Sequence, residues 1–227
     1  MSALPLVLLH GWGSHAGVWA GVIAKLDLGH AVFAPDFPGD GGVTGTMEEV
    51  VDELSATAPD RCVVAGWSMG GQLALVWARR HPQQVARLML ISATPRFINA
   101  ADWLYGMAPE VFAGFSASLT RDAAATLHRF LLLQAQGDAQ SRTVARQLEV
   151  ALALQPEPRS SVLMQTLHWL QTTDLRAMLP QIAQPALVVH GDRDRIAPPA
   201  AAEYLAAQLP QARLALLAGA AHAPFIS

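Results

Sequence analysis

Residues 63–71 read Val-Val-Ala-Gly-Trp-Ser-Met-Gly-Gly, and Gln-Leu-Ala-Leu-Val-Trp-Ala follows directly with helical spacing. The apolar run predicts a buried strand, and the helix formers after it predict a helix. Ser68 lies at the turn between them, within a Gly-x-Ser-x-Gly pentapeptide. Gly66 and Gly70 leave room for the close backbone approach of such a turn, which a side chain would block. The stretch therefore predicts an exposed serine nucleophile beside the free N–H groups of a helix N-terminus.

The composition is that of one domain, or of a core with one insertion. The chain has 227 residues, a hydrophobic fraction of 52% and a net charge of −3. It has no run of eighteen apolar residues and no signal segment, so we expect a cytoplasmic protein with no membrane partner. Its basic residues do not gather into a run, which argues against a nucleic-acid partner. The single cysteine, Cys62, excludes an intrachain disulfide and is expected in the core.

Short apolar runs alternate with helical stretches along the first ninety-odd residues and again near the end. Further strands are predicted at residues 4–9, 31–35, 86–92, 186–189 and 214–217, and helices at residues 17–26 and 199–209. Thr46 and Glu49 form a capping box that opens another helix, which ends before Pro59. Such alternation requires crossover connections, so we predict an α/β fold with a mostly parallel sheet flanked by helices.

The pattern changes between about residues 96 and 174, where only helical stretches rich in Ala, Leu and Gln occur. Such a length without a strand is long for one crossover connection. We therefore predict an α/β core at residues 1–95 and 178–227, with a helical cap at residues 96–177 over the active end of the sheet. An ordinary set of outer helices is the alternative.

The sequence His-Gly-Trp-Gly at residues 10–13 follows the first predicted strand. A glycine-rich turn at this place can supply one backbone N–H of an oxyanion hole, and the residue after the nucleophile supplies the other. The candidate donors are therefore the N–H groups of Trp12 and Met69. His10 is expected to brace this turn by hydrogen bonding rather than to act as a base.

A serine nucleophile needs a base, and the base needs a carboxylate that orients it. Asp194 follows the strand predicted at residues 186–189, and His222 follows the last strand, so nucleophile, acid and histidine occur in the order Ser68, Asp194, His222. Asp192 is the alternative acid, but it occupies a place typical of turn-capping aspartates. No Cys/His cluster or His-Glu-x-x-His pattern predicts a metal site, and this chemistry needs no cofactor.

Four stretches together carry a resemblance to a known family: residues 8–13, 66–71, 129–134 and 220–227. With them the chain resembles the α/β-hydrolases and, within that family, is similar to the carboxylesterases of biotin synthesis that demethylate pimeloyl-[acyl carrier protein] methyl ester. Gly-x-Ser-x-Gly identifies only the larger family, whereas Ala-His-Ala-Pro-Phe at residues 221–225 is more specific. The resemblance implies a catalytic triad of Ser68, Asp194 and His222, with Phe130 as a wall of the substrate pocket.

The resemblance also implies an acyl carrier protein as partner. Arg142 and Arg146 lie four residues apart and so share a helix face, and Arg129 is nearby in sequence; together they could dock an acidic carrier protein. A solvated helix face is the alternative. An apolar slot for the acyl chain could be lined by Met107, Phe112, Phe115, Phe130, Leu131 and Trp169, although ordinary packing explains each of them equally well.

The chain departs from the family at its ends. Members usually continue past the histidine with a final helix, and they usually have one or two antiparallel strands before the first strand found here. The expectation is that the sequence is shortened or that another element covers the exposed apolar face. We expect a monomer, unless an element of a second subunit replaces that helix.

Other functions are compatible with the same predicted residues. A broad-specificity short-chain carboxylesterase, a carbon–carbon bond hydrolase or a perhydrolase would retain the triad, and a catalytically silent binding module would retain the fold. Substrate tests separate the enzymes from one another. Labelling of Ser68 by a fluorophosphonate would exclude the silent module.

Overall fold

A computed structural model describes residues 4–26, 31–37, 45–154 and 159–227. In this part of the chain six strands form one sheet in the order β2-β1-β3-β4-β5-β6, and every neighbouring pair is parallel. The predicted α/β fold with its parallel sheet is confirmed. The strands are β1 (Leu6–Leu9), β2 (Val32–Phe33), β3 (Cys62–Trp67), β4 (Val85–Ile91), β5 (Ala186–Gly191) and β6 (Ala212–Leu217).

The helices of the described residues alternate with these strands, except for a group of four in a row. They are α1 (Ala20–Lys25), α2 (Met47–Thr57), α3 (Met69–Arg80), α4 (Pro109–Arg121), α5 (Ala123–Ala135), α6 (Ser141–Leu152), α7 (Ser160–Thr172) and α8 (Pro199–Gln208). We call α4 to α7 the four-helix segment, which lies between β4 and β5 in sequence. Short 3-10 helices occupy Ala16–Trp19 and Arg176–Gln181.

Local signals set several of these boundaries. The capping box is confirmed: Thr46 Oγ1 accepts the Glu49 N–H, and the Glu49 carboxylate accepts the Thr46 N–H. The strand predicted at residues 31–35 is shorter than expected, because β2 is an edge strand that pairs only with β1 and Pro35 follows it closely. The helix predicted at residues 17–26 opens as a 3-10 turn.

The sheet is covered on both faces. In β1, Val7 and Leu9 point into one buried cluster with α2, α3 and α8, while Leu8 points into a second with the 3-10 turn at residues 16–19 and α6. Alternating residues of a strand face opposite sides of a sheet, so these two clusters are its two faces. The carboxyl ends of the strands remain as the place where loops meet.

Charged groups join the two ends of the stretch that contains the four-helix segment. Arg96 and Asp174 form an antiparallel bridge, and Arg96 Nη1 lies 2.6 Å from Asp174 Oδ2. Arg176 also binds Asp174, at 2.7 Å, and its guanidinium lies 5.5 Å from the centre of the Trp103 ring. The hydrogen bond from Arg176 is the main cause that lowers the pKa of Asp174 to about 2.

We expect Asp174→Asn to make the free energy of unfolding less dependent on pH at acid pH. A carboxylate with a lowered pKa in the folded state stabilises the fold above its ordinary pKa, and this contribution is lost as pH falls toward the folded value. The wild type should therefore lose part of its free energy of unfolding between about pH 4 and pH 2. Asp174→Asn should be less stable at pH 7, and the difference should close at low pH in thermal melts. The control is Asp60→Asn, which removes no ion pair seen in the described residues; its melting temperature should depend on pH as that of the wild type does. The expectation would be contradicted if the melting temperatures of Asp174→Asn and the wild type differed by the same amount at every pH.

Candidate active site

Ser68 connects β3 to α3 in a backbone conformation that L-residues rarely adopt. Its φ is 55° and its ψ is −118°. The Ser68 N–H donates to the Ile91 carbonyl at 2.8 Å, and the Gly71 N–H donates to the Ser68 carbonyl at 2.9 Å. Such a conformation costs about 1–3 kcal/mol and persists only where its surroundings hold it. The turn thus points the serine hydroxyl away from the strand and toward the loops.

Two glycines make this sharp turn sterically feasible. A Cβ on Gly66 would collide with the carbonyl of Gly70, and a Cβ on Gly70 would collide with the carbonyl of Leu9. Both obstacles are backbone atoms, which cannot rotate away as a side chain can. The spacing of the pentapeptide therefore reflects the close approach of β3, α3 and the end of β1.

Ser68, His222 and Asp194 come together at the carboxyl ends of β3, β6 and β5. The Ser68 hydroxyl lies 3.0 Å from His222 Nε2, and His222 Nδ1 lies 2.7 Å from Asp194 Oδ2. Because a carboxylate only accepts, Nδ1 carries the hydrogen and Nε2 is free to accept from the serine. The side chains of His222 and Asp194 are 1% and 0% exposed. This arrangement can deprotonate the serine and stabilise the imidazolium that results.

The carboxylate of Asp194 is fully hydrogen-bonded. Oδ1 accepts the N–H groups of Ile196 and Ala197, at 2.9 and 3.0 Å. Oδ2 accepts from His222 and lies 3.2 Å from Nε2 of His190. Burial alone raises the pKa of Asp194, but the attraction of His222 and the hydrogen bonds from both histidines more than reverse this, so the pKa lies well below its usual range. Asp194 is therefore ionised at neutral pH.

Asp192, the alternative acid, lies elsewhere. Its Oδ1 accepts the Gly219 N–H at 2.8 Å, and its own N–H donates to the Leu217 carbonyl. These bonds tie the loop after β5 to the loop after β6. The structure thus brings Asp194, and not Asp192, to His222.

The candidate oxyanion donors occupy the loops beside Ser68. Met69 is the first residue of α3, and Trp12 follows β1. Among the described residues neither backbone N–H donates to a protein acceptor. The Trp12 side chain is buried, and its indole N–H donates to the Leu163 carbonyl of α7 at 3.1 Å. Both N–H groups are thus available to a ligand, and the Trp12 loop is tied to the four-helix segment.

His10 braces the loop after β1. Its Nδ1 hydrogen-bonds to the Gly11 carbonyl at 2.9 Å, its Nε2 accepts the Phe37 N–H at 3.4 Å, and its ring stacks on that of Phe37 with centroids 3.8 Å apart. Burial lowers the pKa of His10 to about 4. A neutral ring fits one donor and one acceptor role, as expected for a bracing residue.

Phe130 lies against the Trp12 loop. Its ring meets the Trp12 ring edge-on with centroids 5.2 Å apart, and Phe115 meets the same ring at 5.4 Å. Leu131, another predicted slot residue, packs instead into the second buried cluster with Trp19. Adjacent residues of a helix point in different directions, so Phe130 and Leu131 of α5 have different neighbours. Phe130 contacts Trp12, and Leu131 contacts the second buried cluster.

The predicted arginine patch is divided as well. Arg142 and Arg146 are exposed on α6 and line a cavity of about 630 Å³ with Lys25. Arg129 donates to Thr126 Oγ1 at 3.0 Å and lines another cavity, of about 360 Å³, between α4 and α5.

One contact of the site has no signal in the sequence. The last turn of α5 and the turn that follows it bind the loop that carries His222. The His222 N–H donates to the Gln134 carbonyl of α5 at 3.1 Å, and the Ala221 N–H donates to Asp138 Oδ2 at 2.8 Å. Asp138 and Ala221 are 83 residues apart, so no local spacing connects them. The sequence prediction missed both Asp138 and Gln134.

Two features are absent from the described residues. No group of three or more His, Cys, Asp or Glu side chains there is arranged to hold a metal ion. None of the helices in those ranges has the length and apolar character needed to span a membrane.

Comparison with known sequences gives one family and a consistent set of relatives. The family model described as "alpha/beta hydrolase fold" matches residues 5–227. A pimeloyl-[acyl-carrier protein] methyl ester esterase of Aromatoleum aromaticum is 46% identical over 235 aligned positions, which cover 100% of this chain and 94% of that protein. A protein of the same name from Nitrosomonas europaea is 38% identical, over 98% of this chain and 90% of its own length.

Solved structures resemble the chain in fold. An esterase from Exiguobacterium antarcticum superposes with a TM-score of 0.83 at 24% identity, covering 99% of this chain and 87% of that one. A hydrolase from Oleispira antarctica also gives a TM-score of 0.83, at 17% identity, over 100% of this chain and 86% of its own. At these identities the likeness is one of architecture.

Proposed function

Since the chain belongs to the α/β-hydrolase family, we propose that it is a serine carboxylesterase that hydrolyses pimeloyl-[acyl carrier protein] methyl ester to pimeloyl-[acyl carrier protein] and methanol, in biotin biosynthesis. The geometry that carries the chemistry is the pair of hydrogen bonds from Ser68 to His222 and from His222 to Asp194. The relatives in Aromatoleum and Nitrosomonas support the substrate. We further propose that the protein is a monomer, because one chain supplies all three of these side chains. We also propose that it is cytoplasmic.

The reaction proceeds in two halves. Ser68 Oγ attacks the carbonyl carbon of the methyl ester while its proton passes to His222 Nε2, and the tetrahedral intermediate then expels methanol, which takes that proton. Water next gives a proton to Nε2 and attacks the acyl-enzyme, and Ser68 leaves with the proton as the acid is released. Asp194 keeps the imidazole in the required tautomer throughout.

The negative charge of each tetrahedral intermediate is held by the N–H groups of Trp12 and Met69. Each donor of this kind contributes roughly 10²- to 10³-fold in rate, and the proton transfers through His222 contribute about 10²- to 10⁴-fold. Phe130, packed on the Trp12 ring, forms a wall beside the acyl chain. Neither a metal ion nor a cofactor takes part in these steps.

The carrier protein docks on α6. Arg142 and Arg146 provide positive charge along one side of their cavity, and Lys25 adds a third cation. Val150 and Leu154, which are 58% and 63% exposed, give the same cavity apolar surface. A surface with both characters suits an acidic partner that also offers apolar side chains. Arg129 lines the separate cavity between α4 and α5, where it would meet another part of the bound carrier protein.

Charge reversal on α6 should weaken only the carrier-bound reaction. We expect the double variant Arg142→Glu and Arg146→Glu to lower kcat/KM for the carrier-bound ester by roughly 10- to 100-fold at low salt, because steering of an acidic partner is lost. Hydrolysis of a free short-chain ester should be unchanged. The matched control is Arg87→Glu with Arg213→Glu, which reverses two exposed arginines of β4 and β6. Equal losses in both double variants would contradict a docking role for α6.

The test of the proposed function is methanol release from pimeloyl-[acyl carrier protein] methyl ester by the purified protein, with a free short-chain methyl ester in parallel. We expect turnover of the carrier-bound ester at the higher kcat/KM. Turnover of the free ester alone would replace this substrate with the short-chain carboxylesterase alternative. If neither ester is cleaved and a fluorophosphonate fails to label Ser68, the chain is a silent binding module.

A further inference from the structure

The end of α5 and the turn that follows it support the loop that carries His222. Besides the Gln134 bond to His222, the Ala139 N–H donates to the Gly219 carbonyl at 2.8 Å. Arg193, in the loop of Asp194, reaches the same turn, with its Nη1 3.3 Å from the Gly137 carbonyl. The turn therefore contacts both the loop of the base and the loop of the acid.

At the centre of this support lies the carboxylate of Asp138, which is only 6% exposed. Its Oδ2 accepts the Ala221 N–H at 2.8 Å, and its Oδ1 accepts the Gln140 N–H at 2.7 Å and the Ser227 hydroxyl at 3.1 Å. Among the described residues it forms no ion pair. Burying a carboxylate is costly unless hydrogen bonds replace its water, and here two backbone N–H groups and a hydroxyl do so.

These bonds fix the backbone at His222 and at the residue before it. Two consecutive N–H groups, those of Ala221 and His222, are both held from the four-helix segment, by Asp138 and by the Gln134 carbonyl. The position of His222 Nε2 relative to Ser68 depends on this backbone. A displacement of about 1 Å at a reacting group can reduce the rate by roughly 10²-fold.

We propose that Asp138 is a positioning residue for His222. From the turn between α5 and α6, its carboxylate holds the loop that carries His222, so that the imidazole stays within reach of Ser68. The inference rests on the proposed function only in taking Ser68 as nucleophile and His222 as its base. It does not depend on the carrier-bound substrate. It gives the four-helix segment a part in catalysis besides substrate binding.

The experiment compares Asp138→Leu and Asp138→Asn with Asp122→Ala. Asp122 is the matched control, because its carboxylate caps α5 by accepting the Ala125 N–H and, in the described residues, makes no contact with the loop of His222. For each variant we would measure kcat and KM on a free short-chain ester, the rate of fluorophosphonate labelling of Ser68, and the melting temperature. Active sites are counted by the labelling end point, so unfolded protein does not enter kcat.

We expect Asp138→Leu to lower kcat and the labelling rate together by roughly 10- to 100-fold, with KM within twofold of the wild type. Asp138→Asn keeps one acceptor oxygen and should recover part of the loss. Asp122→Ala should lower the melting temperature through loss of a cap and leave kcat unchanged. A purely structural role for Asp138 would lower the melting temperature in the same way without changing kcat per active site.

Three results would overturn the proposal: a wild-type kcat in folded Asp138→Leu, a loss confined to KM, or an equal loss of kcat in Asp122→Ala. If Asp138→Leu does not fold, Asp138→Asn decides, and a wild-type kcat and labelling rate in that variant would overturn it. If the wild type cleaves the free ester but not the carrier-bound ester, the proposed substrate fails while the role of Asp138 is still measured.

Discussion

Ser68→Ala is expected to lower kcat by about 10⁶-fold, the largest effect of any substitution proposed for this chain. The hydroxyl is the only group at the turn that can form the acyl-enzyme, and its loss leaves His222 without a partner 3.0 Å away. KM should change little, because the hydroxyl does little in binding the ground state. Release of methanol and labelling by a fluorophosphonate should both fall to background.

The matched control is Ser92→Ala. Ser92 also has a positive φ, of 47°, and follows β4, the strand next to β3. Its hydroxyl is buried and has no hydrogen-bond partner in the described residues. Activity in Ser92→Ala should stay within a few-fold of the wild type, whereas residual turnover in Ser68→Ala well above background would exclude Ser68 as the nucleophile.

Asp194→Asn is expected to lower kcat by about 10⁴-fold with the fold retained. The N–H groups of Ile196 and Ala197 point at Oδ1, so they fix the amide oxygen there and turn the amide NH2 toward His222. His222 Nδ1 must then accept, and its hydrogen moves to Nε2, which faces Ser68. In this tautomer Nε2 cannot take the serine proton.

The control for this substitution is Asp192→Asn. An amide oxygen at Asp192 can still accept the Gly219 N–H, so kcat should change by less than about threefold. The two variants would be compared by kcat and by the rate of fluorophosphonate labelling. If Asp192→Asn were the damaged variant, the acid would have been assigned to the wrong aspartate.

The elements of this fold could be predicted where the signal is local. The capping box at Thr46 predicted a helix start, and the pentapeptide around Ser68 predicted a turn, because in both cases the interacting atoms lie within a few residues. The order of Ser68, Asp194 and His222 predicted their meeting, since the carboxyl ends of parallel strands share one edge of a sheet. Asp192 and Asp194 both follow β5, so this argument applies to either of them. Only its greater depth in the loop favoured Asp194.

Packing between distant elements could not be predicted in this way. Arg129 and Arg142 are close in sequence, but whether two helices present one surface depends on how they are rotated against each other, and here they line different cavities. The bond from Asp138 to Ala221 spans 83 residues and depends on where α5 ends over the sheet. Neither spacing nor composition contains that information.

The bridge between Arg96 and Asp174 suggests how proteins of this architecture diversify. Because β4 and β5 are neighbours in the sheet, the stretch between them leaves and returns at one place, as a loop insertion does. Evolution or a designer could exchange that insertion for another and so change the accepted ester, while Ser68 and its partners stay on the scaffold. The hydrogen bonds from Gln134 and Asp138 limit this modularity, since a transplanted insertion must bring its own support for the histidine loop.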